Sequence, residues 1–422
     1  MNPVRITKEL ECKDRFDVIV AGGGVSGAAA AVSAARLGKR VLLIEKQINL
    51  GGLATTGLIN LFTPMCNGRG KKIITGMAEE FLNRAIEYGF DTLPEEWCNG
   101  EPGKETGSRY TSKFSAPIFM LVLTELLHST GVEIMFDSLV TDVVSSDGHI
   151  KGVVIENKSG SSYYAGSIFV DATGDGEIMT RAGVPCVQGY NYDTYICFGA
   201  DLESVRHTQD KSDFRWLTKW YTGNCADLWG RNHPEGKPYW LGTNAEDVNQ
   251  YLLDNQLLVL EKIKKDSRKE RDILLVPGMV QFRTTRHIDG DYTLTEDDIF
   301  KHQKTSIGTI CDFSKRDLLY EVPFGTLVRT GFDNLITAGR SVSADGFAWD
   351  VVRLIPPAIL TGQAAGVAAA RCLEEKAPIF AVNITLLQAE LERQGVMIHY
   401  DDSLIPAGTG TGVAEEVDIG HI

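Results

Sequence analysis

The sequence predicts an α/β protein whose principal domain is built on a parallel sheet and is interrupted by an inserted α+β domain. Two observations carry this expectation. A strand, glycine turn, helix, strand and acid follow one another within residues 17–46, and two later strands each run into a turn of small residues. Residues 17–21 (DVIVA) are a short apolar run, as a strand buried on both faces requires. Gly22, Gly24 and Gly27 then spell G-x-G-x-x-G around Val25 and Ser26. The first glycine permits the tight turn, the second lets backbone approach a pyrophosphate, and the third lets the helix close on the sheet. The alanine-rich residues 26–37 form the helix, whose N-terminus offers unpaired N–H groups and a positive dipole end to that pyrophosphate. Residues 40–44 return as a second strand, and Glu45 at its end is placed to hold ribose hydroxyls. Together these elements predict a Rossmann-like domain with an adenine dinucleotide site.

The remaining elements extend this domain on both sides of an insertion. Helices are predicted over 74–88 and 115–129, and strands over 132–136, 140–144, 150–155 and 163–170. The last three strands form a small antiparallel unit with turns at 146–148 and 158–160. The domain's first part runs over 1–182. Residues 183–318, with Trp216, Trp220, Trp229 and Trp240, form the inserted substrate domain. The last part covers 319–400, ending in a short amphipathic helix over 384–396. Residues 401–422 form a tail, flexible or wrapped on a neighbour.

Four further segments carry a family resemblance. KQINLGGLATTG (46–57) resembles the loop over the flavin in two-dinucleotide flavoproteins, with the pattern E-K-x-x-x-x-G-G-x-A/S-x-x-S/G. VDATGDGEIMTRAG (170–183) and YEVPFGTLVRTGFDNLITAGRSVSA (320–344) each carry a strand into a small-residue turn. RTTRHIDGDYTLTEDD (283–298) resembles R-x-x-R-R-I-x-G-x-Y-x-L-T, with His287 in place of the second arginine of the pair. Over residues 17–396 the chain resembles the FAD-dependent oxidoreductases related to the fumarate reductase and succinate dehydrogenase flavoproteins, which share a glutathione-reductase-type FAD domain. The resemblance implies FAD; because the fingerprint, flavin-loop and Ala-Gly-Arg segments hold no histidine or cysteine, the cofactor is expected to be non-covalent. The resemblance implies cofactor contacts from Lys46, Gly52, Leu53 and Ala54 on the flavin loop, Val140, the turn Ala172, Thr173, Gly174 and Asp175, and the turn Gly339–Arg340. It also implies a small-residue helix over 357–370, with Pro357 and Ala358 at its N-terminus, whose dipole stabilises negative charge at the flavin pyrimidine ring.

In that family an H-G-x-N-R segment places an arginine on a substrate carboxylate. Here FAWDVVRLIPP (347–357) aligns Arg353 with it, but the His-Gly pair is missing, which puts a dicarboxylate in doubt. A guanidinium is a planar fork suited to carboxylates. Arg353 is therefore a candidate substrate contact, or a partner of Asp350 or Asp345. Arg283, Arg286 and His287 form a second cluster. Strand alternation puts Arg283 on the face of Thr285 and His287 and opposite Arg286. His287 is a candidate for proton transfer or a structural histidine; Asp345 and Asp350 are the alternative bases. Cys66 reads as a buried thiol, because the flavin loop lacks a C-x-x-x-x-C pair. No His, Cys or Asp group shows metal-ligand spacing.

Composition narrows the function classes. The chain has 422 residues, a net charge of −14 and eight cysteines. The acidic balance argues against nucleic acid as a partner. The cysteines show no C-x-x-C spacing, and with no charged-then-apolar leader pattern a cytoplasmic location is expected. No apolar run is long enough to predict a membrane span. The expected function is a flavin dehydrogenase or reductase passing a hydride between flavin N5 and a small polar metabolite, carboxylate or sugar-derived. An unidentified electron donor or acceptor and homo-oligomers are compatible with this. The alternatives are an FAD-dependent monooxygenase, partly echoed by Ile355-Pro356-Pro357, and a flavin-binding subunit of a larger assembly acting on a macromolecule.

Overall fold

A computed structural model describes residues 7–406. The larger part of the expected tail, residues 407–422, lies outside the described residues. Strand Cys12–Ala21 is central to a seven-stranded sheet. Val41–Ile44 pairs parallel to it on one side, followed by Glu133–Met135, and Gly160–Asp171 pairs parallel on the other. Leu335–Thr337 adds parallel to the end of Gly160–Asp171. Both faces of the central strand are buried. Val18 and Val20 face the core under the helices, while Phe16, Ile19 and Ala21 face a second core. This two-sided burial is why the run reads as continuously apolar.

The expected antiparallel unit is present, but it is not a separate sheet. Leu139–Ser146, His149–Asn157 and Gly160–Asp171 form a meander. Residues Tyr163–Ala165 pair with the meander on one side and with Cys12–Arg15 on the other. One long strand thus serves both the parallel and the antiparallel parts.

Helices Val25–Arg36 and Ile355–Glu375 pack side by side above the parallel part. Small residues make the approach close. A Cβ on Gly362 would stand 2.1 Å from the Ser26 carbonyl oxygen, and one on Gly366 2.2 Å from that of Ala30. Ile355–Glu375 starts two residues before the expected helix, because Pro356 and Pro357 occupy its first turn, where no intrahelical N–H bond is lost. Among the described residues no single helix is long and apolar enough to cross a membrane. The bent pair Gly346–Val352 and Ile355–Glu375 passes on length and composition together, and it is largely buried in the core.

The inserted region has its own sheet and core. Lys219–Cys225, Thr194–Asp201 and Arg271–Leu275 form a three-stranded antiparallel sheet. Helix Ala245–Ile263 covers it through a core including Tyr195, Trp240, Tyr251 and Phe282. The expected border at 318/319 falls inside a hairpin. Ser306–Cys311 pairs with Leu319–Pro323, and Ile307, Ile310 and Cys311 pack in the main core. The eight cysteines are free thiols, and Cys66 is buried.

Candidate active site

A cavity of about 910 Å³ runs from the G-x-G-x-x-G turn to the inserted domain. It lies at the carboxyl ends of the parallel strands, where open α/β sheets hold their ligands. Of the sequence-derived cofactor residues, Gly22, Gly24, Val25, Ser26, Glu45, Lys46, Gly52, Leu53, Ala54, Val140, Ala172, Thr173, Gly174, Gly339, Arg340 and Ala358 line it. Gly27, Asp175 and Pro357 do not.

The three fingerprint glycines have separable roles. Gly22 has φ +100°, and a Cβ there would meet the Ala172 carbonyl oxygen at 2.3 Å. Gly27 faces the strand turn, and its Cβ would be 1.8 Å from the Gly22 carbonyl oxygen. Its part is packing, so its absence from the cavity wall follows. Gly24 is the opposite case. A Cβ there would meet nothing within 4 Å, because the space before it is cavity. Gly24 precedes the first turn of Val25–Arg36, whose orphan N–H groups favour an anion. The flavin-loop glycines close over this point, where Gly51 N–H donates to the Gly23 carbonyl at 2.8 Å. This cradle fits a pyrophosphate with a second moiety extending beyond the loop.

Glu45 is buried at the cavity edge. Its Oε2 accepts from Gly23 N–H at 2.6 Å and its Oε1 from Gln47 N–H at 2.7 Å. Burial raises its pKa above the ordinary carboxylate range, against the pull of those N–H groups. A carboxylate has about four acceptor sites, so the side chain both braces the turn and retains capacity for hydroxyl donors.

Asp175 supports the site from behind. Its Oδ1 accepts from Arg340 Nη2 at 2.5 Å and from the Thr285 hydroxyl at 2.5 Å. Burial pushes its pKa up, but the Arg340 charge and these hydrogen bonds outweigh burial and hold it below the usual value. Arg340 also donates to the carbonyls of Gly174 at 2.7 Å and Phe282 at 3.1 Å. One arginine therefore ties together both small-residue turns and the inserted domain.

The far end of the cavity is lined by the inserted domain and the segment before Ile355–Glu375. Arg283 and Arg353 both reach it. Arg353 is held by Asp350 Oδ1, with Nε at 2.9 Å and Nη2 at 2.5 Å. Arg283 donates to the backbone carbonyls of Ala226 and Asp227, at 3.3 and 3.1 Å through Nη1. Burial first, then the Arg353 charge, pushes the Arg283 pKa down to about 10. Asp350 thus pairs with Arg353 alone, while Arg283 is held by backbone carbonyls beside that second cation.

The other catalytic candidates lie elsewhere. Only Arg286–Ile288 forms a strand, paired with Cys186–Gln188. Arg283 precedes it in irregular chain, so the alternation argument does not reach it, and Arg283 does not share a face with His287. Arg286 Nε donates to the Asp175 carbonyl at 2.8 Å behind the turn. His287 is 3% exposed, its Nδ1 is 2.7 Å from the Ile288 carbonyl oxygen, and its ring stands 4.5 Å from Trp349. Burial holds its pKa below the ordinary value. Asp345 caps Gly346–Val352 through Gly346 N–H at 2.8 Å. None of Arg286, His287, Asp345 or Asp350 lines the cavity.

The structure also brings in residues that the sequence did not single out. Lys113 lines the cavity from the two-residue strand Ser112–Lys113, which pairs with Leu61–Phe62 just beyond the flavin loop. Burial lowers its pKa. Trp220, Trp229, Gln281 and Phe282 line the substrate end. A pairing as short as Leu61–Phe62 with Ser112–Lys113 has no local pattern from which Lys113 could be read.

The cradle, the acid at the second strand and the two returning turns define a dinucleotide-binding flavoprotein. The profile of the FAD dependent oxidoreductase family matches residues 17–195 and 256–391, well over half of the chain, and the chain belongs to that family. The family is one of FAD-dependent oxidoreductases, and the cradle fits its FAD cofactor. The chain is 31% identical over 152 residues to Protein FixC of Salmonella typhi, covering 33% of this chain and 33% of FixC. It is 27% identical over 157 residues to Digeranylgeranylglycerophospholipid reductase 1 of Methanococcoides burtonii, again 33% of each. The match thus spans about a third of the length of these curated relatives. A geranylgeranyl bacteriochlorophyll reductase-like structure from Thermoplasma acidophilum aligns with 93% of this chain and 90% of its own, at 15% identity and a TM-score of 0.41.

Proposed function

We propose that this oxidoreductase is a dehydrogenase or reductase for a small polar metabolite bearing an anionic group, most simply a carboxylate or a sugar-derived acid. One observation carries the reading. Arg283 and Arg353 both line the substrate end of the cavity, where Arg353 is paired with Asp350 and Arg283 has only backbone carbonyls as partners. An anion there neutralises a buried cation, which is favourable where the surroundings resist unpaired charge. FAD, when bound, supplies hydride acceptance or donation at N5. Trp220, Trp229 and Phe282 exclude water and offer apolar surface to the substrate's body.

Lys113, on the cavity wall beside the flavin loop, is the group we assign to proton movement. A lysine whose pKa is lowered by burial can exchange a proton nearer neutrality. The fumarate-reductase-like reading of Arg353 as a carboxylate grip agrees with this arrangement, without requiring two carboxylates. The archaeal relative is a reductase by name, in keeping with hydride transfer. A cytoplasmic location fits the free thiols.

The test is anaerobic bleaching of the bound flavin against carboxylates, sugar acids and their neutral amides or parent sugars. Carboxylates are expected to reduce the flavin where the neutral analogues do not. For a reductase, the photoreduced flavin is instead reoxidised without oxygen by an unsaturated or keto acid. Turnover that requires O₂ and a separate reductant would replace this reading with the monooxygenase.

A further inference from the structure

On the far side of the hairpin, away from the flavin cavity, a second constellation stands apart from the redox site. Glu321, on strand Leu319–Pro323, has a fully buried side chain. His302 Nδ1 lies 2.6 Å from its Oε1, and His399 Nδ1 lies 2.9 Å from its Oε2. The three ligand atoms fall within 4.8 Å of one another. We propose that His302, Glu321 and His399 form a binding site for a divalent transition-metal ion, of which Zn²⁺ fits the donor set best.

The surroundings are those of a metal site as well as its ligands. His302 Nε2 stands 2.8 Å from Asp402 Oδ1. A carboxylate on the outer nitrogen of a ligating histidine fixes the ring and raises its basicity. The Gln303 N–H donates to Glu321 Oε2 at 2.6 Å and orients the inner carboxylate. Tyr400 stacks on the His302 ring at 4.6 Å, and its buried hydroxyl has no hydrogen-bond partner. Two imidazoles, one carboxylate and an open side give three protein ligands with a fourth position for water, an arrangement Zn²⁺ adopts. On binding, the ion takes the place of the protons between the Nδ1 atoms and Glu321: a neutral ring carries its single proton on Nε2 instead, and only a doubly protonated ring releases one to solvent. His302 retains its Nε2 proton on Asp402.

The ligands indicate a structural role. His399 and Asp402 belong to the C-terminal segment, which runs beside strand Ser306–Cys311: Thr309 N–H donates to the Met397 carbonyl at 2.8 Å. An ion there clamps that segment to the FAD domain. None of the four residues lines the flavin cavity.

The experiment is equilibrium dialysis of the FAD-loaded, chelator-stripped protein against Zn²⁺, with thermal unfolding before and after. One equivalent of tightly held zinc and a raised Tm that chelator reverses are expected. His399→Gln and His302→Gln are half-exposed positions and should leave fold and flavin content intact. Each should weaken zinc binding at least tenfold and remove the Tm shift. Cobalt substitution should give visible bands that either variant loses. Zinc that binds sub-stoichiometrically, or that binds both variants as tightly as the parent, overturns the proposal.

Discussion

Glycines 24 and 27 stand three residues apart, and the same substitution at each should fail for different reasons. At Gly24 a side chain enters open cavity, so Gly24→Val should fold with nearly parental Tm and purify without flavin. At Gly27 a Cβ would strike the Gly22 carbonyl, so Gly27→Val should lose soluble protein altogether. Flavin absorbance per protein, measured beside thermal unfolding, separates the two; flavin-replete Gly24→Val protein would contradict the cradle. Arg283 makes a different case. Its charge is held in a site that resists it, beside a second cation. Arg283→Met should therefore keep unfolding stability within about 1 kcal/mol of the parent, the typical size of a few long hydrogen bonds lost. It should cost about 2–4 kcal/mol in kcat/KM for an anionic substrate. Stability and activity falling together would make Arg283 structural.

At the scale of elements, the helix pair Val25–Arg36 and Ile355–Glu375 sets the geometry of the cofactor end. Ser26 and Ala358 both line the cavity, and Gly362 permits the contact between their helices. Gly362→Val should push the helices apart and destabilise by about 3 kcal/mol, the upper end of overpacking costs. Flavin occupancy should fall with it. Denaturant unfolding with and without added FAD checks this, and an unchanged midpoint would show that the helices can part freely.

The Arg340–Asp175 pair gives the pH dependence of the same region. The folded-state pKa of Asp175 is below its unfolded value of about 3.9. Its contribution is therefore present above that value and is lost as pH falls through the lower folded pKa. Asp175→Asn should destabilise at neutral pH by about 3 kcal/mol, because Arg340 is left without its partner. It should also flatten the acid limb of stability below about pH 4. Urea midpoints across pH 2–7, in parent and variant, provide the measurement.

Over the whole molecule, the cofactor end and the substrate end come from different chain regions meeting at one cavity. Among the described residues, the single cysteine on the cavity wall, Cys225, belongs to the inserted sheet at the substrate end, and no histidine lines the wall. FAD should accordingly be held without a covalent bond. Acid precipitation should leave yellow supernatant over a colourless pellet, and a yellow pellet would point to Cys225.

The sequence by itself determined the cofactor half. The fingerprint turn, Glu45, the flavin loop and the two small-residue turns are local features. Each is a strand end or a tight turn whose conformation restricts the residue type, so chemistry and position are read together. The same holds for helix Val25–Arg36 and for the meander, whose periods survive in the residues. The substrate half was decided by tertiary structure. Arg283, Arg353, Lys113 and Trp220 come from four separate segments, and no local period relates them. His287 was the first candidate for proton transfer in the sequence, yet the fold buries it against Trp349. Likewise His302, Glu321 and His399 show no ligand spacing along the chain, and meet because the C-terminal segment lies beside the strand that pairs with Leu319–Pro323. Local backbone constraints leave a signature at fixed offsets, whereas side chains that converge through packing leave none.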